Sequence, residues 1–273
     1  VTKELDLDLG GGQTLHVYDT GRPAAHTVFW HHGTPNLGAP PAPLFDDAVR
    51  WVAYDRPGYG GSTRTPGRDV ASAARYTTAV ADRLGLDRFA VVGHSGGGPH
   101  ALAVAALVPA RVTAVVVGSS LAPWGAEGLD WFGGMAPGAA ASLHAALAGR
   151  AAREDFGANP SGDPDIGFVD ADEDALTTDW SWMMDVVRPA LAQGPSAAAD
   201  DDLAYVAPWG FDPAAVTAPA LLLAGARDRM VPPTHTAWLA RRIPGATFQT
   251  SDVDGHVSVL RRFPAAMEWL TSR

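Results

Sequence analysis

The chain has 273 residues, 47% of them hydrophobic, enough to fill one large domain or one domain with an insertion. A net charge of −10 makes nucleic acid and anionic membrane surfaces poor partners. Without cysteine there is no disulfide, thiol catalysis or thiolate metal site, and no run of about 18 apolar residues marks a membrane helix.

Residues 5–9 alternate leucine and aspartate, and residues 13–18 alternate again after Gly10-Gly11-Gly12, which predicts an antiparallel hairpin at a sheet edge. Residues 27–31 read as a third strand, residues 46–50 as the close of a short helix, and residues 51–54 as a fourth strand. A turn dense in Gly and Pro follows over 55–62, then helical spacing over 70–84. Residues 89–92 are an apolar strand that stops at Gly93, and a helix of small residues begins near Pro99. Residues 112–117 form a continuous apolar run, as a strand buried on both faces should.

The pattern changes after Ser120. Residues 121–211 carry no strand signal but hold Trp124, Trp131, Trp180, Trp182 and Trp209. Helices are expected over 139–153 and 177–191, with loop over 157–174. The acidic run over 163–174 lacks the spacing of a calcium loop and reads as a solvated face. Strand signals return at 220–224 and 246–250, with helices over 234–242 and to the end. The fold class is therefore α/β, a mostly parallel sheet of about eight strands with helices on both faces. The expected division is a core of 1–121 and 213–273 and an inserted helical cap of 122–212.

Gly93-His94-Ser95-Gly96-Gly97 matches G-x-S-x-G between a strand and a helix, the context of a nucleophile elbow. The bend is tight, and side chains two residues either side of Ser95 would collide with the neighbouring strand or helix. This stretch resembles the α/β-hydrolase superfamily. A serine hydroxyl needs a base to take its proton, and a carboxylate behind that base fixes its tautomer. In this fold the order along the chain is Ser, acid, His. Asp228, in a loop after the 220–224 strand, and His256, in a loop after the last strand, fill the remaining roles. Asp252 and Asp254 are the rival acids.

In this fold two backbone N–H groups normally face the oxyanion, one from the residue after the nucleophile and one from the loop after the third strand. Gly96 and Thr34 are the expected donors, and Pro35, which has no N–H, narrows the choice. His32-Gly33-Thr34-Pro35 looks like the family's H-G-x-P oxyanion turn, and residues 55–62 resemble its structural D-x-x-G-x-G-x-S turn. Serine at the elbow departs from the haloalkane dehalogenases and most epoxide hydrolases of this fold, which carry Asp there. The pattern is similar to the proline-iminopeptidase, esterase and cofactor-free haloperoxidase group.

The resemblance implies a serine hydrolase acting on a small, largely apolar ester or lactone through an acyl-enzyme, with neither metal nor organic cofactor. Trp124, Trp131, Trp180 and Trp182 are expected either to roof an apolar substrate pocket or to pack the cap core. One alternative is an aminopeptidase for N-terminal proline, which needs a cap carboxylate such as Glu127, Glu154 or Glu173. Another is a ligand-sensing protein on a hydrolase scaffold. A small-molecule substrate is the expected partner, with no nucleic acid and no membrane. Val1-Thr2-Lys3-Glu4 has no basic and apolar leader, so the cytoplasm is the default location.

Overall fold

The computed structural model describes residues 2–21, 24–159 and 165–273. β1 (Lys3–Gly10) and β2 (Gln13–Asp19) form the hairpin, with Leu5 opposite Val17 and Leu7 opposite Leu15. β3 (His26–His31), β4 (Val49–Tyr54), β5 (Phe89–His94), β6 (Val112–Gly118), β7 (Ala220–Gly225) and β8 (Thr247–Ser251) complete an 8-stranded sheet. Its order is β1-β2-β4-β3-β5-β6-β7-β8, and every pair from β4 to β8 is parallel.

Both faces are covered, because successive side chains of a strand point to opposite sides. In β3, Phe29 joins a core under α1 (Ser72–Arg83), α2 (Gly97–Leu107) and α8 (Pro233–Arg242), while Val28 and Trp30 join a core under α9 (Phe263–Thr271). Strand order reverses between β3 and β5. Ligands of open α/β sheets collect at such a switch point, outside the carboxyl ends of the strands. The residues after β3 and β5 are those around Thr34 and Ser95.

Two local readings are corrected. Residues 46–50 are not helical. The Asp46 carboxylate accepts from the amides of Ala48 and Val49, an Asx-type turn, and Val49 already pairs with His26 as β4 begins. The helix expected over 139–153 is two helices, α3 (Pro137–Leu147) and α4 (Arg150–Ala158), broken where Gly149 takes φ 106.

A third reading also changes: α5 (Asp170–Thr177) begins inside the loop expected over 157–174 and ends where the 177–191 helix was expected to start, and Asp163 falls outside the described residues. α6 (Trp182–Ala192) and α7 (Ser196–Tyr205) follow, and no strand interrupts the described residues between β6 and β7. No helix is long and apolar enough to cross a membrane among the described residues.

Candidate active site

Ser95 follows β5 with φ 55, a left-handed conformation costly for a side-chain-bearing residue. The elbow is held by the Ser95 amide donating to the Gly118 carbonyl of β6 at 2.9 Å and by the Gly98 amide donating to the Ser95 carbonyl at 2.9 Å. A Cβ at Gly93 would lie 2.5 Å from the Gly97 carbonyl oxygen, and one at Gly97 would overlap the His31 carbonyl of β3. Only glycine lets strand and helix approach this closely.

The structure brings Ser95, His256 and Asp228 together. The Ser95 hydroxyl lies 2.8 Å from His256 Nε2, and His256 Nδ1 lies 2.8 Å from Asp228 Oδ2. Asp228 Oδ1 accepts from the amides of Met230 at 2.9 Å and Val231 at 2.8 Å, so its second oxygen is aimed at the imidazole. Of the rival acids, Asp254 is held by Arg262 at 2.8 Å, and its backbone carbonyl accepts from the Arg227 amide. His94 is buried, which pushes its pKa down to about 3, and its neutral ring donates from Nε2 to the His256 carbonyl at 2.8 Å.

One residue behind His256 was not found in the sequence. Asp172 of α5 is fully buried, and its oxygens accept from the amides of His256 (3.1 Å), Val257 (2.8 Å) and Ser258 (2.8 Å), and from the Ser258 hydroxyl. These donors head a short 3-10 helix over 258–262, where amides lack partners of their own. The acidic run read as a solvated face therefore contributes a carboxylate that pins the loop of His256.

Thr34 and Gly96 line the cavity beside Ser95, and no hydrogen bond from either amide is found among the described residues. The Thr34–Pro35 peptide bond is cis. Asp201 of α7, also missed, anchors this side. Its carboxylate accepts from Arg56 Nε (3.1 Å) and Nη2 (2.7 Å), Arg68 Nη2 (2.5 Å), Tyr59 (2.9 Å) and the Thr34 hydroxyl (2.5 Å).

Arg56 also donates to the carbonyls of His32 and Gly33, the latter at 2.8 Å. Tyr205 of α7 donates to the Gly96 carbonyl at 2.9 Å and touches the Thr34 hydroxyl at 2.8 Å. Burial works against ionisation of Asp201, but the Arg56 and Arg68 charges outweigh it and hold the group well below the usual carboxylate range.

Asp201→Asn leaves the two buried guanidinium groups with neutral acceptors and no anionic partner. An uncompensated buried charge costs about 3–5 kcal/mol, so the urea midpoint should fall by the corresponding amount. An unchanged midpoint would mean that the cluster contributes no net stability.

Two chambers of about 510 and 370 Å³ meet at Ser95, sharing Thr34, Pro35, Ile166, Leu191 and Met230. Both lie in the range typical of small-molecule sites. The smaller is lined by Phe168, Leu176, Met183, Met184 and Val187.

None of the four tryptophans expected at the pocket lines either chamber. Trp131 is buried against His235 and donates to the Ala122 carbonyl at 2.8 Å, and Trp124 lies edge-on to Trp131 at the surface. Trp180 packs edge-on to Trp182, which itself packs edge-on to Trp30 of β3. Trp180 and Trp182 thus join the helical segment to the sheet, while Trp131 packs against α8 with Trp124 at its edge. Glu127, Glu154 and Glu173 also stand outside both chambers, and Glu154 is paired with Arg64 and Arg150 at the surface.

A family model described as alpha/beta hydrolase fold matches residues 21–262. A bifunctional esterase/perhydrolase of Acinetobacter calcoaceticus is 34% identical over 118 residues, covering 41% of this chain and 43% of that protein. The matched segments span 28% and 43% of the curated relatives' lengths, less than half in each case. A thermophilic esterase from Thermogutta terrifontis superposes with TM-score 0.70 at 21% identity, covering 99% of this chain and 98% of the other. The enol-lactonase of Burkholderia xenovorans superposes with TM-score 0.71 at 20% identity, covering 96% and 98%. At these identities the two structures speak for the fold.

Proposed function

The chain belongs to the alpha/beta hydrolase fold family, and from that premise we propose a serine hydrolase that cleaves a small, largely apolar carboxylic ester or lactone. The observation that carries this reading is the unbroken pair of 2.8 Å contacts from Ser95 through His256 to Asp228, opening onto two mainly apolar chambers. The esterase/perhydrolase relative fits it. Residues 122–212 act as a cap over the core of 1–121 and 213–273, and this cap supplies most of the chamber walls.

In this mechanism His256 Nε2 takes the Ser95 proton as Oγ bonds to the ester carbon. The Thr34 and Gly96 amides hold the oxyanion that forms. The imidazolium then gives its proton to the leaving alkoxide, and the acyl group stays on Ser95. Water enters, His256 takes one of its protons as the water oxygen bonds to the acyl carbon, and the imidazolium returns that proton to Ser95 Oγ as the carboxylic acid leaves. Asp228 keeps the Nδ1–H tautomer throughout and stabilises the imidazolium.

The purified protein should hydrolyse short aryl esters or lactones, and a fluorophosphonate should label Ser95 and no other serine. Turnover of prolyl arylamides with no ester hydrolysis would overturn the ester assignment. Absence of labelling would overturn the nucleophile.

The pH profile supplies a further check. Burial disfavours the imidazolium, but the charge and hydrogen bond of Asp228, with the charge of Asp172, outweigh it and raise His256 above its ordinary 6.5. The base acts in its neutral form, so kcat/KM should rise with pH along a limb whose midpoint lies above 6.5. A limb centred well below that value would contradict the role of His256.

A further inference from the structure

The larger chamber holds one charged pair. Arg153 of α4 and Asp202 of α7 line it together with Ser95, their side chains only 7% and 9% exposed. Arg153 Nε donates to Asp202 Oδ2 at 2.7 Å, and the guanidinium carbon lies 5.7 Å from the centre of the Phe156 ring. Its Nη1 is buried and has no hydrogen-bond partner among the described residues. Gly157, another wall residue, makes room for it, since a Cβ there would stand 3.0 Å from Nη1 and 2.5 Å from Pro195 Cβ.

A buried donor left without a partner costs stability; Nη1 presents almost no open surface to the chamber, so a ligand acceptor recovers that cost by drawing the guanidinium inward on binding. The smaller chamber offers no such group. Apart from the imidazoles of His94 and His256 beside Ser95, its own lining is aliphatic, aromatic and thioether, with Asn36 turned to Met183 Sδ at 3.4 Å.

Resting on the hydrolase reading above, we propose that the substrate is a two-armed ester or lactone. One arm is wholly apolar and lies in the Met183–Met184 chamber. The other ends in an uncharged oxygen acceptor, a ketone or amide carbonyl, bound by Arg153 Nη1. Uncharged is preferred because Asp202 already matches the guanidinium. A carboxylate in the same place would set two anions against one cation in a buried wall.

The test uses aryl and alkyl esters of equal length whose acyl or alcohol chain is plain, carries one ketone at successive positions, or ends in a carboxylate. With the parent enzyme, the best ketone ester should exceed its plain counterpart about tenfold or more in kcat/KM, the worth of a hydrogen bond to a charged donor. The preference should collapse toward unity in Arg153→Met. That variant strands Asp202 and risks misfolding. The double variant Arg153→Met/Asp202→Leu removes both charges, leaves no lone ion, and should show the same collapse.

Equal rates on plain and ketone esters, or a carboxylate ester preferred to the ketone, would overturn the proposal while leaving the hydrolase reading intact. If the parent hydrolyses no ester at all, the hydrolase reading fails. Calorimetric binding of the matching plain and ketone amides then decides this one, with equal affinity overturning it.

Discussion

Ser95→Ala is expected to lower kcat on any accepted ester by about 10⁶, the scale on which a serine hydrolase loses turnover with its nucleophile. His256 and Asp228, 2.8 Å apart in the parent, should keep their contact in this variant, and Thr34 and Gly96 still line the cavity, so only the bond-forming atom is lost. The residue keeps its Cβ and backbone, including the Gly118 contact, so the unfolding midpoint should stay near that of the parent. Ester kinetics, fluorophosphonate labelling and a melting curve on one preparation separate chemistry from folding. Retained turnover with an unchanged melt would place the nucleophile elsewhere.

Asp228→Asn should cost about 10³–10⁴ in kcat with the fold intact. The new amide oxygen can still accept from the Met230 and Val231 amides in the place of Oδ1. The amide nitrogen then faces His256 Nδ1 and donates to it, so the imidazole proton moves to Nε2. That nitrogen can no longer accept the Ser95 proton. The same change removes the negative charge that does most to favour the imidazolium against burial, so the acidic limb should move to lower pH. Near-parental activity would pass the acid role to another carboxylate. Asp254, buried on Arg262, is poorly placed to take it.

The elbow was legible because it is local. Gly93, Ser95 and Gly97 sit within five consecutive residues, and steric exclusion alone demands glycine at both ends. The strands were legible from alternation or apolar runs, apart from a start displaced by the Asp46 turn. The helical segment was legible as strand-free and helical, but its buried ions were not. The three consecutive aspartates of α7 look like a solvated patch in a row of alanines, yet all are buried. Asp200 is held by Arg64 and Arg150, Asp201 by Arg56 and Arg68, and Asp202 by Arg153. Their partners lie far off in sequence, so no spacing rule reaches them. The only trace is a run of acids with no basic residue beside it.

From the order of its residues alone, this protein has a strand–turn–helix bend with one serine at its tip, and a histidine and an aspartate after later strands. Those follow from excluded volume and from the two-residue period of a buried sheet, which act over short stretches of chain. Tertiary packing decided which carboxylates are buried and what they hold. Asp172 fastens the loop of His256, Asp201 fastens the loop of Thr34, and the four tryptophans pack against the sheet or α8, or lie at the surface, instead of roofing the cavity. An ion is stable out of water only when opposite charge or donors surround it, and those neighbours come from segments that meet only once the chain has folded.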